Sequence, residues 1–182
     1  VYKLWGEGKS SGIFQFESAG MTNFMKELKP DGLEDIIAGV SLYRPGPMDQ
    51  IPRYIRNKLN PDHVEYTHPA LEPILNVTYG CMVYQEQVMQ IVRELAGYSL
   101  GRADLVRRAM GKKKLDVMAK EREIFIHGQV DENGNVVIPG CVRNGIDEQS
   151  ANKIFDEMAE FAKYAFNKSH AAAYAVVSYQ TA

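Results

Sequence analysis

The stretch that decides the fold is Gln85–Ala96, which has the sequence QEQVMQIVRELA. Its apolar residues recur every three or four positions, at Val88, Ile91, Val92 and Leu95. This spacing places them on one face of an α-helix, and Gly97 directly afterwards is typical of a helix C-terminus. The segment is therefore predicted to be an amphipathic helix that packs its apolar face against other helices.

The same periodicity recurs on both sides of this segment. Further helices are predicted over Met21–Leu28, Leu33–Val40, Gln50–Lys58, Leu71–Leu75, Gly101–Met110, Leu115–Ile126, Asp147–Ala165 and from His170 onward. Ser18 is a good N-cap for the first of these, and Asp31 with Glu34 matches a capping box for the second. Ser169 is predicted to cap the last helix.

One segment departs from helical periodicity. Residues 131–135 have the sequence DENGN, and Val136–Ile138 follows as a short β-branched run. An Asn-Gly pair before such a run favours a β-hairpin, which we expect to be a peripheral insertion over about 129–142. The predicted fold is mainly α with one small β-hairpin, in a single domain spanning residues 1–182.

Composition excludes several classes of protein. The chain has 182 residues, 45% hydrophobic and 24% charged, which is ordinary for a folded globular domain. No apolar run reaches the ~20 residues of a membrane span, so we expect no membrane contact and a cytoplasmic location. Cys81 and Cys141 lack the spacing of zinc ligands, so we expect free thiols and no metal site.

Charge is concentrated in one place although the net charge is only −2. Residues 107–114 have the sequence RRAMGKKK, which puts five cations within eight positions. A polyphosphate is the natural counter-anion, because guanidinium groups bind phosphate oxygens in pairs. Arg107 and Arg108, being adjacent on a helix, point about 100° apart. A solvated basic face, or a helix end charged to suit its dipole, stays an alternative.

A second polar segment, Phe161–His170, has the sequence FAKYAFNKSH and lies between two predicted helices. Tyr164 could stack on a base or ribose, while Asn167 and His170 could donate hydrogen bonds to a sugar or phosphate. The alternative is structural: a half-buried tyrosine, a helix terminator and a first-turn histidine. Arg44, held beside Pro-Gly-Pro, is a possible phosphate or template contact or else a structural donor.

Five motifs together resemble one known family. They are FQFES, LYRPGPM, YGCMVYQEQVMQI, RRAMGKKK and FAKYAFNKSHAAAYAVVSYQTA, spread from about Ile13 to Ala182. They are similar to the family C replicative polymerases, the DnaE-type α subunits of bacterial DNA polymerase III. The resemblance implies the fingers region of a DNA-directed DNA polymerase. Because Tyr179–Ala182 stops in a predicted helix, we expect a fragment of a larger chain.

The resemblance also assigns roles to particular residues. Those expected to bind the incoming dNTP are Arg107, Arg108, Lys112, Tyr164, Asn167, Lys168 and His170, and possible phosphate or DNA contacts are Arg44, Lys113 and Lys114. Lys163 and Ala165 stand where the family most often has glycine. The catalytic carboxylates and Mg²⁺ are expected outside this chain, which should be inactive when isolated.

The implied partners are primer-template DNA, the rest of the polymerase chain and the replisome. A rival interpretation is a non-enzymatic helical module that binds the DNA backbone through its basic face at residues 102–122, which hold eight of the 21 Lys and Arg residues. A third is a protein-interaction domain with an incidental basic face. Free nucleotide, DNA length and salt should distinguish these three.

Overall fold

A computed structural model describes residues 1–112 and 114–182. Within these residues the α-helices are α1 (Tyr2–Gly6), α2 (Ala19–Leu28), α3 (Leu33–Leu42), α4 (Ile51–Leu59), α5 (Glu72–Leu75), α6 (Gln85–Ala96), α7 (Leu100–Gly111), α8 (Leu115–His127), α9 (Glu148–Phe161) and α10 (Lys168–Thr181). The strands are β1 (Gln129–Val130) and β2 (Val136–Ile138). The predicted fold class, mainly α with one small hairpin, is confirmed. In this described part, no helix is both long and apolar enough to cross a bilayer.

Several helices begin where the sequence predicts. The hydroxyl of Ser18 accepts a hydrogen bond from the N–H of Met21 at 3.2 Å and caps α2. Asp147 caps α9 in the same way, with its carboxylate 2.8 Å from the N–H of Ser150. These caps satisfy N–H groups that the first turn of a helix leaves without an internal partner.

The predicted capping box at the start of α3 is wrong. The N-cap of α3 is Gly32, whose extended backbone (φ −152°, ψ 167°) provides no side-chain cap. Asp31 lies one residue before this position, and its N–H donates to the carboxylate of Asp35 at 3.0 Å. A shift of one residue therefore turns Asp31 from a cap into part of a charged cluster with Asp35 and Lys58.

The hairpin is confirmed at the predicted place. Strands β1 and β2 are antiparallel, and Asp131 holds the turn by accepting from the N–H groups of Asn133 (2.9 Å) and Asn135 (2.8 Å). Val136 is exposed, but Ile138 keeps only 5% of its surface exposed. The hairpin thus has an exposed tip and a base that packs into the protein.

The chain forms two compact units. Unit 1 comprises Val1–Val64, Val77–Tyr84 and Phe166–Ala182. In it α3 packs against α10 and α1 packs against α2 around a buried core. The largest side chains that are fully buried in this core are Trp5, Phe16, Met25, Leu28, Ile36, Leu42, Tyr54 and Tyr84.

Unit 2 comprises Glu65–Asn76 and Gln85–Ala165. Helices α6, α7, α8 and α9 pack against one another in this unit, and the rings of Phe125 and Phe155 lie 5.7 Å apart in its core. The apolar face of α6 is buried as predicted, with Val88, Ile91, Val92 and Leu95 each at most 2% exposed. The prediction of a single domain over residues 1–182 stays a prediction.

Candidate functional site

Helix α7 gathers the predicted arginine pair onto one carboxylate. Arg107 donates from Nε (3.1 Å) and Nη2 (2.7 Å) to Oδ1 of Asp104, and Nε of Arg108 lies 2.8 Å from Oδ2. Asp104 precedes the two arginines by three and four residues, the spacings at which helical side chains meet. We refer to Asp104, Arg107 and Arg108 as the arginine cluster.

The three side chains of the arginine cluster differ in exposure within unit 2. The side chain of Arg107 is 17% exposed and that of Arg108 is 63% exposed. The hydrogen bonds from Arg107 hold the pKa of the Asp104 carboxyl below its ordinary value, with further lowering from the charges of both arginines. The cluster therefore carries two cations and one anion at neutral pH, with Arg108 reaching furthest into solvent.

The other predicted cations of this region follow α7. Lys112 is the C-cap of α7, with its N–H bonded to the carbonyl of Arg108 at 3.1 Å, and its side chain is exposed. Lys114 precedes α8 and is also exposed. The predicted contact at Lys113 lies outside the described residues. Both described lysines can therefore reach an anion near the end of α7.

Two other arginines of residues 102–122, which we call the basic run, pair with acids on a different helix of unit 2. Arg102 pairs with Glu121 at 2.6 Å, and Arg122 pairs with Asp156 while its guanidinium lies 4.6 Å from the ring centre of Phe155. These arginines are thus used in packing helices together. The basic run is not a uniform face of solvated cations.

The end of α7 lies next to the end of α9. A Cβ at Gly111 would stand 3.5 Å from the carbonyl oxygen of Ala162. Tyr164 is two residues further on, half-buried, with Nζ of Lys163 lying 4.4 Å from its ring centre. The structure therefore brings the segment before Tyr164 close to the RRAMG segment within unit 2. Neither Lys163 nor Ala165 has a positive φ, so this backbone does not require the glycines usual in the family.

Asn167 begins α10 in unit 1. Its Oδ1 accepts from the N–H of His170 at 2.9 Å, which makes Asn167 the N-cap of this helix. The predicted cap at Ser169 is wrong, because α10 starts at Lys168, two residues before the start that a cap at Ser169 would give. Asn is among the best N-cap residues, so the amide has a structural role whether or not it binds a ligand.

Lys168 and His170, the other predicted ligand contacts at the start of α10, also have partners. Lys168 pairs with Glu34 at 3.0 Å and lies 5.3 Å from the ring centre of Tyr84. His170 is exposed, and its ring lies 5.5 Å from that of Phe166 and 4.4 Å from that of Tyr174. This histidine therefore lies at the surface of unit 1, on the first turn of α10.

Arg44 stacks on the ring of Phe166, which directly precedes Asn167. Its guanidinium is 4.5 Å from the ring centre of Phe166, and burial lowers its pKa. Such stacking leaves the edge of the guanidinium group able to donate hydrogen bonds. Its predicted contact with phosphate or template stays a prediction.

The sequence analysis missed two of these partners, Asp104 and Glu34, for different reasons. Asp104 could be found, since its spacing from Arg107 and Arg108 is that of a helical ion pair. Glu34 gives no such signal, because 134 residues separate it from Lys168.

Within the described residues, no three His, Cys, Asp or Glu side chains come together as a metal ion would require.

Comparison with known proteins gives the family. Residues 1–133 match the family described as the bacterial DNA polymerase III alpha subunit finger domain. The chain belongs to this finger-domain family. Its similarity to curated proteins extends over the whole chain, which confirms the family predicted from the five motifs.

The relatives come from diverse bacteria and are named DNA polymerase III subunit alpha. Those of Chlamydia trachomatis serovar D, Thermus aquaticus and Halalkalibacterium halodurans are 53%, 51% and 46% identical to this finger domain. Each alignment covers 100% of this chain but only 14%, 14% and 15% of the respective relatives. This finger domain therefore spans about a seventh of the length of the proteins it matches.

Proposed function

We propose that this finger domain works in a DNA-directed DNA polymerase, where its arginine cluster binds the triphosphate of the incoming dNTP. The observation that carries the proposal is that Arg107 and Arg108 converge on one carboxylate at the surface of α7. Each guanidinium group can bind phosphate oxygens bidentately, and a triphosphate offers several such oxygens to the pair. Lys112, exposed one turn further on, adds a third cation.

The chemistry of nucleotide addition explains why such cations help. The primer hydroxyl attacks the α-phosphorus and pyrophosphate leaves, so negative charge grows on the leaving oxygens. Fixed guanidinium groups stabilise that charge more than they stabilise the bound substrate. We propose that Mg²⁺ ions, which supply further charge neutralisation when bound, are held by carboxylates elsewhere in the polymerase.

Contacts with the nucleoside are a separate proposal. Tyr164 and His170 offer rings for stacking, whereas Asn167 and Lys168 already serve as a helix cap and as the partner of Glu34. We therefore expect His170→Ala to weaken nucleotide use more than Lys168→Ala does. A larger loss in Lys168→Ala would assign the nucleoside contact to the lysine instead.

Binding of the DNA backbone by the basic run is the rival function. Arg102 and Arg122 pair with Glu121 and Asp156 on other helices, which disfavours it, because cations that hold helices together are less able to move onto DNA phosphates and release the counterions condensed there. The proposal also includes contacts with primer-template DNA and the replisome, made by the full-length polymerase that contains this finger domain. Bacterial chromosomal DNA lies in the cytoplasm, so we propose the cytoplasm as the location of this protein.

The deciding experiment changes each arginine in the full-length polymerase. Arg107→Ala or Arg108→Ala should lower kcat/KM for dNTP roughly 10- to 100-fold, since a charge-assisted phosphate contact is worth about 1.5–3 kcal/mol and ~1.4 kcal/mol is a factor of ten. The loss should be shared between KM and kcat, because charge develops on the pyrophosphate. Steady-state dNTP titrations measure both constants.

Two comparisons make the result specific. Arg→Lys at position 107 or 108 should retain only part of the dNTP use, since an ammonium keeps the charge but cannot bind a phosphate with two parallel N–H donors. Arg93, an exposed arginine on α6, is the matched control, and Arg93→Ala should leave dNTP use unchanged. Unchanged kcat/KM in the cluster variants, or an equal loss of primer-template affinity, would contradict the proposed function.

A further inference from the structure

We propose that Asp104 is a positioning residue that holds Arg107 and Arg108 in the geometry needed to bind a triphosphate. This inference rests on the proposed function. It assigns a role to a carboxylate that no motif singles out and that, by charge alone, should oppose an anionic ligand. It is drawn from the arrangement of three side chains within about one turn of α7.

Helix geometry separates the two arginines. Adjacent helical residues point about 100° apart, and two guanidinium cations repel each other when they approach. Asp104 offsets both the divergence and the repulsion, because its Oδ1 accepts a hydrogen bond from Arg107 and its Oδ2 pairs with Arg108. One carboxylate thereby brings two divergent side chains to adjacent positions on the helix surface.

The contacts leave donors available for a ligand. A guanidinium group has five N–H donors. Arg108 pairs with Asp104 through Nε, and its side chain is 63% exposed, so its two terminal nitrogens keep N–H groups for a ligand. These terminal groups are the fork that binds phosphate bidentately. With its long side chain already ordered, Arg108 loses less conformational freedom when the triphosphate arrives.

The carboxylate also repels phosphate, so its net effect depends on which influence is larger. Asp104 is partly exposed, and solvent weakens the repulsion between exposed charges. Misplacement of a binding group by about 1 Å can cost a hundredfold in rate. Repulsion between the Asp104 carboxylate and a phosphate, weakened by solvent, costs less than this. Positioning is therefore the larger influence, and removal of the carboxylate should impair nucleotide use.

A graded series at position 104 in the full-length polymerase tests this inference. Asp104→Ala should lower kcat/KM for dNTP roughly 10-fold, because both arginines lose their anchor. Asp104→Asn keeps one oxygen and should show an intermediate loss, and Asp104→Glu should retain most of the activity. A carboxylate that merely competes with phosphate predicts the opposite order, with tighter dNTP binding in Asp104→Ala, and that order would overturn the inference.

A double-mutant cycle separates positioning from general support of the fold. In an Arg107→Ala/Arg108→Ala background, Asp104→Ala should cause no further loss, since it acts only through the arginines. An additional 10-fold loss there would show a structural role and refute positioning. Asp156→Asn is the matched control, because it removes a carboxylate that pairs with a different arginine of unit 2.

The outcomes also distinguish this inference from the proposed function. If the arginine variants lose dNTP use but Asp104→Ala does not, only the role of Asp104 is wrong. If the arginine variants keep normal dNTP use, the proposed function fails first. Thermal melts of all variants should agree within a few degrees, because Ala is the best helix former and preserves α7.

Discussion

Two buried tyrosines, one in each unit, differ in what their hydroxyl groups contact. The hydroxyl of Tyr54 has no hydrogen-bond partner among the described residues. The hydroxyl of Tyr98 donates to a carboxylate oxygen of Glu121 at 3.0 Å, and that carboxylate also binds Arg102. Burial raises the pKa of both tyrosines, so both hydroxyls stay protonated at neutral pH.

This difference predicts opposite effects of the same substitution. Tyr54→Phe should leave the free energy of unfolding unchanged or raise it by up to about 1 kcal/mol, because it removes a buried polar atom with no partner. Tyr98→Phe should lower it by about 1–2 kcal/mol, since Glu121 is buried and loses a donor. Urea unfolding of the two variants gives both values. A clear loss of stability in Tyr54→Phe would indicate a buried partner, such as an ordered water molecule.

Among the helices of unit 1, a partly buried ion cluster joins three chain segments. Nζ of Lys58 on α4 lies 3.2 Å from Asp31 and 3.3 Å from Asp35, and donates to the carbonyl of Lys29 after α2 at 3.2 Å. The side chains of Lys58 and Asp35 are only 7% and 3% exposed. Burial of such charges is tolerated when each keeps its partner.

Removal of one partner should therefore cost more than removal of both. Lys58→Met should lower the free energy of unfolding by ~2–4 kcal/mol, because it leaves the Asp35 carboxylate buried without its cation. The double variant Asp35→Asn/Lys58→Met should recover most of that loss. Chemical denaturation at pH 7 compares the three proteins. Equal stability of the single and double variants would show that the buried charges do not depend on each other.

The same cluster gives an expected pH dependence. Burial lowers the pKa of Lys58, but Asp35 and Asp31 outweigh it and raise the pKa overall. Stability from this lysine is thus fully present below its ordinary value, about 10.4, and is lost as pH rises through the higher value in the folded protein. Denaturation midpoints measured up to alkaline pH should fall more steeply for the parent protein than for the double variant.

Sequence periodicity predicts the helices well because each buried face depends on residues a few positions apart. Helix α6 is found with the predicted bounds, and the apolar residues of α2 are buried as expected. Helix α3 begins at Leu33 as predicted, but its cap is predicted wrongly, because Asp31 pairs with Lys58 on another helix and local sequence does not encode that contact. The prediction of Ser169 as the cap of α10 is wrong for a simpler reason, since Asn167, two residues earlier, is an equally good cap.

For the candidate site, the chemistry of the residues is predicted but their partners are not. Arg107 and Arg108 stand out by composition, while the carboxylate that brings them together is a single ordinary Asp in the same helix. Lys168 is predicted as a ligand contact, yet its ion pair with Glu34 depends on how α3 and α10 pack. Such tertiary partners are the part of the site that requires coordinates.

Across the whole molecule, charge is balanced by local pairing. The chain has 21 basic and 23 acidic residues, and its net charge of −2 gives no general attraction to DNA. Acids stand beside many of the described cations, as with Glu121 at Arg102 and Glu34 at Lys168. Attraction to an anion must therefore come from small groups of cations such as the arginine cluster.

This balance predicts how salt should affect the full-length polymerase. Each phosphate of duplex DNA neutralised by a cation contributes about 0.9 to the slope of log K against log salt. If the arginine cluster binds a triphosphate, Arg107→Ala/Arg108→Ala should leave the slope for primer-template binding unchanged between about 50 and 200 mM salt. Fluorescence anisotropy of labelled primer-template measures that slope.

A backbone-binding cluster predicts a different result in the same titration. Loss of two backbone contacts would reduce the slope by about 2, and Lys120→Ala, which removes an exposed cation of the same basic run, would reduce it by about 1. The triphosphate site predicts that Lys120→Ala changes neither the slope nor dNTP use, since this lysine lies outside the arginine cluster. A reduced slope in both variants would therefore identify the basic run as a surface that binds the DNA backbone.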